Sequence, residues 1–198
     1  MSDNSDERED VVEEEEVAEN EESFWWWVKP ALIAAGVTLL LRFFVMEPFR
    51  VPTGSMEETI MPGDFVLTEK VTPHFREPEI GEVVVFDNPA KDGTVLVKRV
   101  IAKAGQTIDL RYGQYVYVDD EPLYEPYTHE KPTKPLTSQL PGIPEITYPY
   151  TVPEGCVWVM GDNRVNSRDS RFFGPVEIKH VFGHGLCVAW PPNHWKSL

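Results

Sequence analysis

Cysteine is scarce in this chain: two in 198 residues, Cys156 and Cys187. Two thiols cannot build the disulfide framework of a small secreted domain, and their spacing fits no zinc site. Each lies in an apolar run, Cys156-Val-Trp-Val and Leu186-Cys-Val-Ala-Trp, so two buried thiols and a single bridge are both open. Basic residues are also few, 18 against 33 acidic ones, with no basic stripe. That excludes a nucleic-acid partner. No internal repeat is present, and only one segment is apolar enough and long enough to act as a helix. None of the five histidines, His74, His129, His180, His184 and His194, stands in a polar motif of the kind that orients a catalytic imidazole.

The acidity that is present is concentrated. Residues 1–23 carry twelve carboxylates and one base, Arg8, and so hold −11 of the formal net charge of −15. Such a stretch cannot bury enough apolar surface to offset its ordering entropy, and a disordered tail is expected there. Phe24 to Met46 follows, reading FWWWVKPALIAAGVTLLLRFFVM. A helix of that length spans about 34 Å, against about 30 Å for a hydrocarbon core. Lys29 and Arg42 stand toward its two ends and Trp25, Trp26 and Trp27 at one, as in an interfacial anchor. The segment lacks the basic leader and small-x-small site of a cleavable signal peptide. One transmembrane helix over 24–46 is therefore expected. Its two bases are split between the ends, so charge counting does not orient it.

After the span the patterning turns to strands. Asp64-Phe-Val-Leu-Thr, Glu82-Val-Val-Val-Phe and Thr94-Val-Leu-Val-Lys-Arg-Val-Ile are β-branched runs of strand length. Asp92-Gly93 marks a hairpin turn, and Asp119-Asp120 closes Tyr115-Val-Tyr-Val. Cys156-Val-Trp-Val-Met and Gly185-Leu-Cys-Val-Ala-Trp repeat the pattern. Residues 47–198 are thus expected to form one mainly β, antiparallel domain. Residues 121–153, rich in proline and polar groups, are expected to be a long surface excursion.

Three places could carry chemistry. Pro52-Thr-Gly-Ser55-Met56 sets a serine on a glycine-led turn, where donors beside a nucleophile could stabilise an oxyanion. Lys98 and Arg99 are adjacent on a strand and so face opposite ways, one of them sharing a side with Leu96 and Val100. A lysine there is partly desolvated. To act as a base near neutrality its pKa must fall from about 10.4 to about 7, roughly 4.6 kcal/mol, which burial is able to supply. The third place, Gly161 to Gly174, packs nine polar or charged residues into Asp162–Arg171. It lacks the spaced acids of a calcium loop, and a rigid loop with Asp169 and Arg171 paired is the physical expectation.

Together these segments resemble the bacterial type I signal peptidases. Val51-Pro-Thr-Gly-Ser-Met is similar to the family's nucleophile box, Met61-Pro-Gly-Asp-Phe-Val to its second box, and Gly81 through Ile101 to its lysine box. Gly161-Asp-Asn-Arg through Ser167-Arg-Asp-Ser-Arg-Phe-Phe-Gly carries the most specific match. The resemblance implies a barrel-like catalytic domain, with Ser55 as nucleophile and Lys98 as general base. It further implies Thr53 with the Ser55 N–H as oxyanion donors, Ser167 orienting Lys98, and Asp169 and Arg171 holding the loop. No metal or cofactor is implied. The implied partners are secretory preproteins with small residues before the cut, and membrane lipid. The implied place is the plasma membrane, with the catalytic domain outside the cytoplasm and the tail inside. Two departures stand out: Lys103-Ala-Gly-Gln106 replaces a Pro-Gly-Asp or Pro-Gly-Glu turn, and Glu57-Glu58-Thr59 follows the nucleophile where proline is common.

A self-cleaving repressor-type protease shares the Ser-Met and lysine-strand pattern, but the 24–46 span and the Gly161–Gly174 loop argue against it. An inactive, membrane-tethered peptide-binding β-domain would have lost Ser55 or Lys98, and both are present.

Overall fold

The computed structural model describes residues 25–40, 45–89, 93–111, 115–136 and 145–198. The acidic tail, Phe24 and residues 41–44 lie outside them. The chain divides into two compact units, Met1–Phe44 and Val45–Leu198.

In the first unit, residues 25–40 form helix α1. Its apolar side chains, Trp26, Trp27, Leu32, Ile33 and Leu40 among them, are exposed. Thr38 Oγ1 donates to the Ala34 carbonyl 2.8 Å away, the usual way a helical threonine satisfies its hydroxyl. Among the described residues no helix is long and apolar enough to cross a membrane. Phe24 and residues 41–44 of the expected 24–46 span lie outside the described residues, and its last two residues are not helical: Val45 stands in a turn and Met46 opens the first strand of the second unit, paired with Glu69.

The described residues of the second unit are mainly β, with short 3-10 turns and one four-residue helix among them. Its large antiparallel sheet has eight strands: β1 (Met46–Arg50), β2 (Phe65–Glu69), β3 (Val83–Asp87), β4 (Val95–Lys103), β9 (Cys156–Met160), β10 (Val176–Glu177), β11 (Val181–Trp190) and β12 (Lys196–Ser197). The order is β1-β2-β11-β3-β4-β9-β10, with β12 on β11, so among the described residues the sheet is open rather than closed on itself. A smaller antiparallel sheet, β7-β6-β5-β8, comprises β5 (Thr107–Asp109), β6 (Tyr117–Val118), β7 (Glu121–Pro122) and β8 (Tyr150–Thr151).

Strand β3 shows why its run is unbroken in the sequence. Val83 and Val85 pack with Met56, Ile60 and Val66 on one side, while Val84 and Phe86 pack with Val159 and Phe173 on the other. Both faces are buried, so no polar alternation is left to see. β3 pairs with β4 as a hairpin, Asp87 opposite Val95, as the Asp92-Gly93 turn signal predicts. Asp119 and Asp120 take φ of 52° and 67°, the left-handed pair that a tight turn between β6 and β7 requires.

The second sheet shares its core with the first. Ile101 of β4 and Trp158 of β9 pack with Ile108, Val118 and Val152, and Ile146 and Tyr148 lean on them. Residues 121–153 therefore supply two short strands and part of a core as well as surface chain. Cys156 and Cys187 are free thiols, the first buried and the second half-buried.

Candidate active site

Beyond β1 the chain is pinned by two backbone bonds, Val51 N to Asp64 O at 2.8 Å and Gly63 N to Val51 O at 2.7 Å. Between these anchors Gly54–Met56 forms a single 3-10 turn. Met56 is fully buried and acts as its plug, which leaves Ser55 fixed in place and itself only 8% exposed. Thr53 Oγ1 lies 3.4 Å from Ser55 Oγ.

Lys98 comes from β4, between β3 and β9, and is 2% exposed. Its Nζ is 2.7 Å from Ser55 Oγ and 2.9 Å from the Val97 carbonyl. Burial pushes the amine down to about 8, against the opposing pull of Asp169 and Asp162. At pH 7 about a tenth of such a group is neutral. In that form its lone pair can accept the Ser55 proton, which makes the serine a nucleophile. No histidine bonds to either residue.

The Gly161–Gly174 loop closes over this pair. Asp169 caps helix α2 (Ser170–Phe173) by accepting from the Arg171 N–H. Arg171 grips the same carboxylate twice, Nε to Oδ1 and Nη2 to Oδ2, each at 2.9 Å. Burial alone would raise the Asp169 pKa, but the hydrogen bonds and charge of Arg171 hold it below the ordinary carboxylate value. The Gly161 N–H donates to Asp169 Oδ2 at 3.1 Å, so the far end of the loop fixes its near end. Ser167 Oγ is buried and forms no hydrogen bond of normal geometry; Lys98 Nζ turns to the Val97 carbonyl instead.

Several residues at the site had no individual role in the sequence reading. A Cβ on Gly161 would stand 2.3 Å from both Ser167 Oγ and the Ser55 carbonyl oxygen. Only a glycine lets the loop lie this close to Ser55. Asn163 N donates to the Ser55 carbonyl at 3.1 Å, and Asn163 Nδ2 donates to Gly54 O at 2.9 Å and Glu57 Oε2 at 3.0 Å. Arg99, next to Lys98, takes a separate partner, Asp162, through Nε at 3.0 Å and Nη2 at 2.7 Å. The signal was the position of Gly161-Asp-Asn directly after a strand, where a polar cluster has to be satisfied by something nearby.

The arrangement is a buried serine–lysine pair under a polar loop, suited to acyl transfer. Residues 24–190 match the family model described as signal peptidase, peptidase S26. A "Probable signal peptidase I-1" of Synechocystis sp. is 40% identical over 174 residues, covering 84% of this chain and 83% of that protein. A "Probable signal peptidase I" of Mycobacterium leprae is 31% identical over 221 residues, covering 85% of this chain and 76% of that one. The chloroplastic thylakoidal processing peptidase 1 of Arabidopsis thaliana is 33% identical over 175 residues, covering 83% of this chain and 48% of that one.

Proposed function

The chain belongs to the signal peptidase family S26, as a serine peptidase of the signal peptidase I type that cleaves signal peptides, and we propose that Ser55 and Lys98 are its catalytic dyad. One observation carries this: the 2.7 Å separation of Lys98 Nζ and Ser55 Oγ inside a nearly closed site.

The reaction balances with one base. Neutral Lys98 takes the Ser55 proton as Oγ bonds to the scissile carbonyl carbon, whose oxygen gains the negative charge. The Thr53 hydroxyl and the Ser55 N–H stabilise that oxyanion, an effect of about 3–4 kcal/mol per donor in comparable sites. Collapse of the intermediate breaks the C–N bond, and the Lys98 ammonium gives its proton to the leaving amine. Water then donates a proton to the same Nζ as its oxygen attacks the acyl-enzyme. The Ser55 oxygen leaves and recovers the proton. Asp169 and Arg171 keep the loop folded, whereas the Ser167 hydroxyl expected to orient Lys98 makes no hydrogen bond to it in this structure.

The apolar segment from Phe24 up to the start of β1 at Met46 acts as the membrane anchor. Its uniform apolarity and terminal tryptophans support that role, and its length matches a bilayer core. The β-domain then works at the outer face of the plasma membrane and the acidic tail stays in the cytoplasm. The substrate is an extended stretch of a secretory preprotein, bound as an added strand with small residues before the cut.

The test is incubation of purified protein, as wild type, Ser55→Ala and Lys98→Ala, with a secretory precursor, followed by sequencing of the new N-terminus. Wild type yields one new terminus after a small residue, and both variants yield none. Near-normal turnover by Lys98→Ala would overturn the dyad.

A further inference from the structure

The described part of the proline-rich segment, far in sequence from both Ser55 and Lys98, satisfies three buried arginines around the site. Arg164 has a side chain with no exposure, and Glu125 one with 8%. Glu125 receives both Arg164 Nη atoms, Nη1 at 2.8 Å on Oε2 and Nη2 on Oε1. Thr133 Oγ1 accepts from the same Nη1 at 2.9 Å. The remaining donor, Arg164 Nε, reaches the Gly161 carbonyl at 3.0 Å. Arg164 is thus a strut between Glu125 and the glycine that touches Ser55.

A second strut runs beside it. The Tyr127 ring lies 4.1 Å below Arg99 Cζ, and Arg99 holds Asp162. Tyr127 also donates its hydroxyl to Glu125 Oε1 at 3.1 Å, which joins the two struts. Arg171 Nη1 adds a bond to the Lys134 carbonyl at 3.1 Å.

We propose that Glu125 and Tyr127 are positioning residues for peptide-bond cleavage, acting through Arg164 and Arg99 to press Gly161 and Asp162 against the Ser55 turn. This rests on the reading of Ser55 and Lys98 as the dyad.

The physical reason is the burial of the charges. An arginine stripped of the carboxylate that it bonds in a dry site cannot stay where it is, because the poorly compensated charge is expensive. Arg164 would swing toward water and release Gly161, and the loop would ride up. The loop excludes water from Lys98 and also carries the two carboxylates acting on it, Asp169 and Asp162. Withdrawal of the carboxylates favours the neutral amine, but burial is the larger influence on it, so with water admitted the ammonium form gains on balance and the neutral base becomes rarer at neutral pH.

The experiment is a pH series of kcat and KM for a signal-peptide substrate, using the full chain as wild type, Glu125→Ala, Glu125→Gln, Tyr127→Leu and Lys98→Ala. Glu125→Ala lowers kcat at pH 7 by about 10- to 100-fold while KM moves by less than about threefold. Its acid limb shifts up by about one pH unit, so that much of the loss is recovered in alkali. Glu125→Gln keeps an oxygen for Arg164 and loses less. Tyr127→Leu shifts the limb in the same direction through Arg99, and tests the inference even where Glu125→Ala does not fold. A limb that coincides with wild type in both Glu125→Ala and Tyr127→Leu, with any loss equal at all pH, would overturn the inference. Turnover by Lys98→Ala would instead overturn the dyad itself, so the two failures are distinct.

Discussion

Arg99 and Asp162, 63 residues apart in the chain, meet through two hydrogen bonds of 3.0 and 2.7 Å, with side-chain exposures of 8% and 1%. The bond ties the strand beside Lys98 to the loop that covers it. Its worth lies in what happens when one member is lost. Asp162→Ala leaves Arg99 buried without its carboxylate and should cost about 3–5 kcal/mol in denaturant unfolding. The double variant Arg99→Met/Asp162→Leu removes both charges and should recover most of that stability. A single variant within about 1 kcal/mol of wild type would show that the pair does not hold the loop.

With Lys98 as the proposed base, the pH dependence of cleavage follows its amine. Burial brings its amine to about 8. Only the neutral form takes the serine proton, so kcat/KM should climb about tenfold per pH unit and level off above about 8. An acid limb nearer 6 would point to a different base. The check is a pH–rate profile with substrate well below KM.

The same lysine should weaken the fold. Its folded pKa lies below its unfolded value, so between about 8 and 10.5 the unfolded chain binds more protons and stability rises with pH. Below about pH 8 the penalty is complete, on the order of 3 kcal/mol. Lys98→Met removes the charge while filling the same space. It should therefore abolish cleavage and raise stability at pH 7 by about 1–3 kcal/mol, less at pH 10. Urea midpoints at the two pH values decide this, and a variant less stable than wild type at pH 7 would contradict it.

The legible parts of this protein were the ones encoded locally. Ser55 sits beside its glycine, the β3 and β4 runs are short and β-branched, and the paired aspartates at 119 and 120 announce their turn. Asp169 and Arg171 are two residues apart, close enough for their pairing to be expected from the loop alone. Glu125 was not legible. Its partner Arg164 is 39 residues away, and the described chain from Glu125 to Thr151 offers one 3-10 turn and one two-residue strand among its prolines, which leaves no periodicity to read. The Lys98–Ser55 contact, across 43 residues, could be expected only because a known family carries the same motifs in the same order. The lysine also donates to the carbonyl of its own neighbour Val97, a detail of side-chain packing that no motif specifies.

Gly161 offers the sharpest separation of geometry from stability. Its φ is not left-handed, so glycine is required there by space alone. In Gly161→Ala the new methyl would meet Ser167 Oγ and the Ser55 carbonyl oxygen at 2.3 Å. The Ser167 hydroxyl can rotate away, but its Cβ, 2.6 Å off, cannot, and a carbonyl fixed by the Asn163 N–H cannot without moving the Ser55 turn. Displacement of a reacting group by about 1 Å is enough to slow chemistry about 100-fold, so kcat should fall by that order while KM changes little. Gly155 provides the contrast. Its φ is +71°, with nothing within 4 Å of an added Cβ. Gly155→Ala should strain the backbone, lowering stability by about 1 kcal/mol while leaving kcat near wild type. If instead Gly161→Ala cut at the wild-type rate, the loop would have to be loose enough to yield, and the close fit between Gly161 and the Ser55 carbonyl could not be what holds the serine in place.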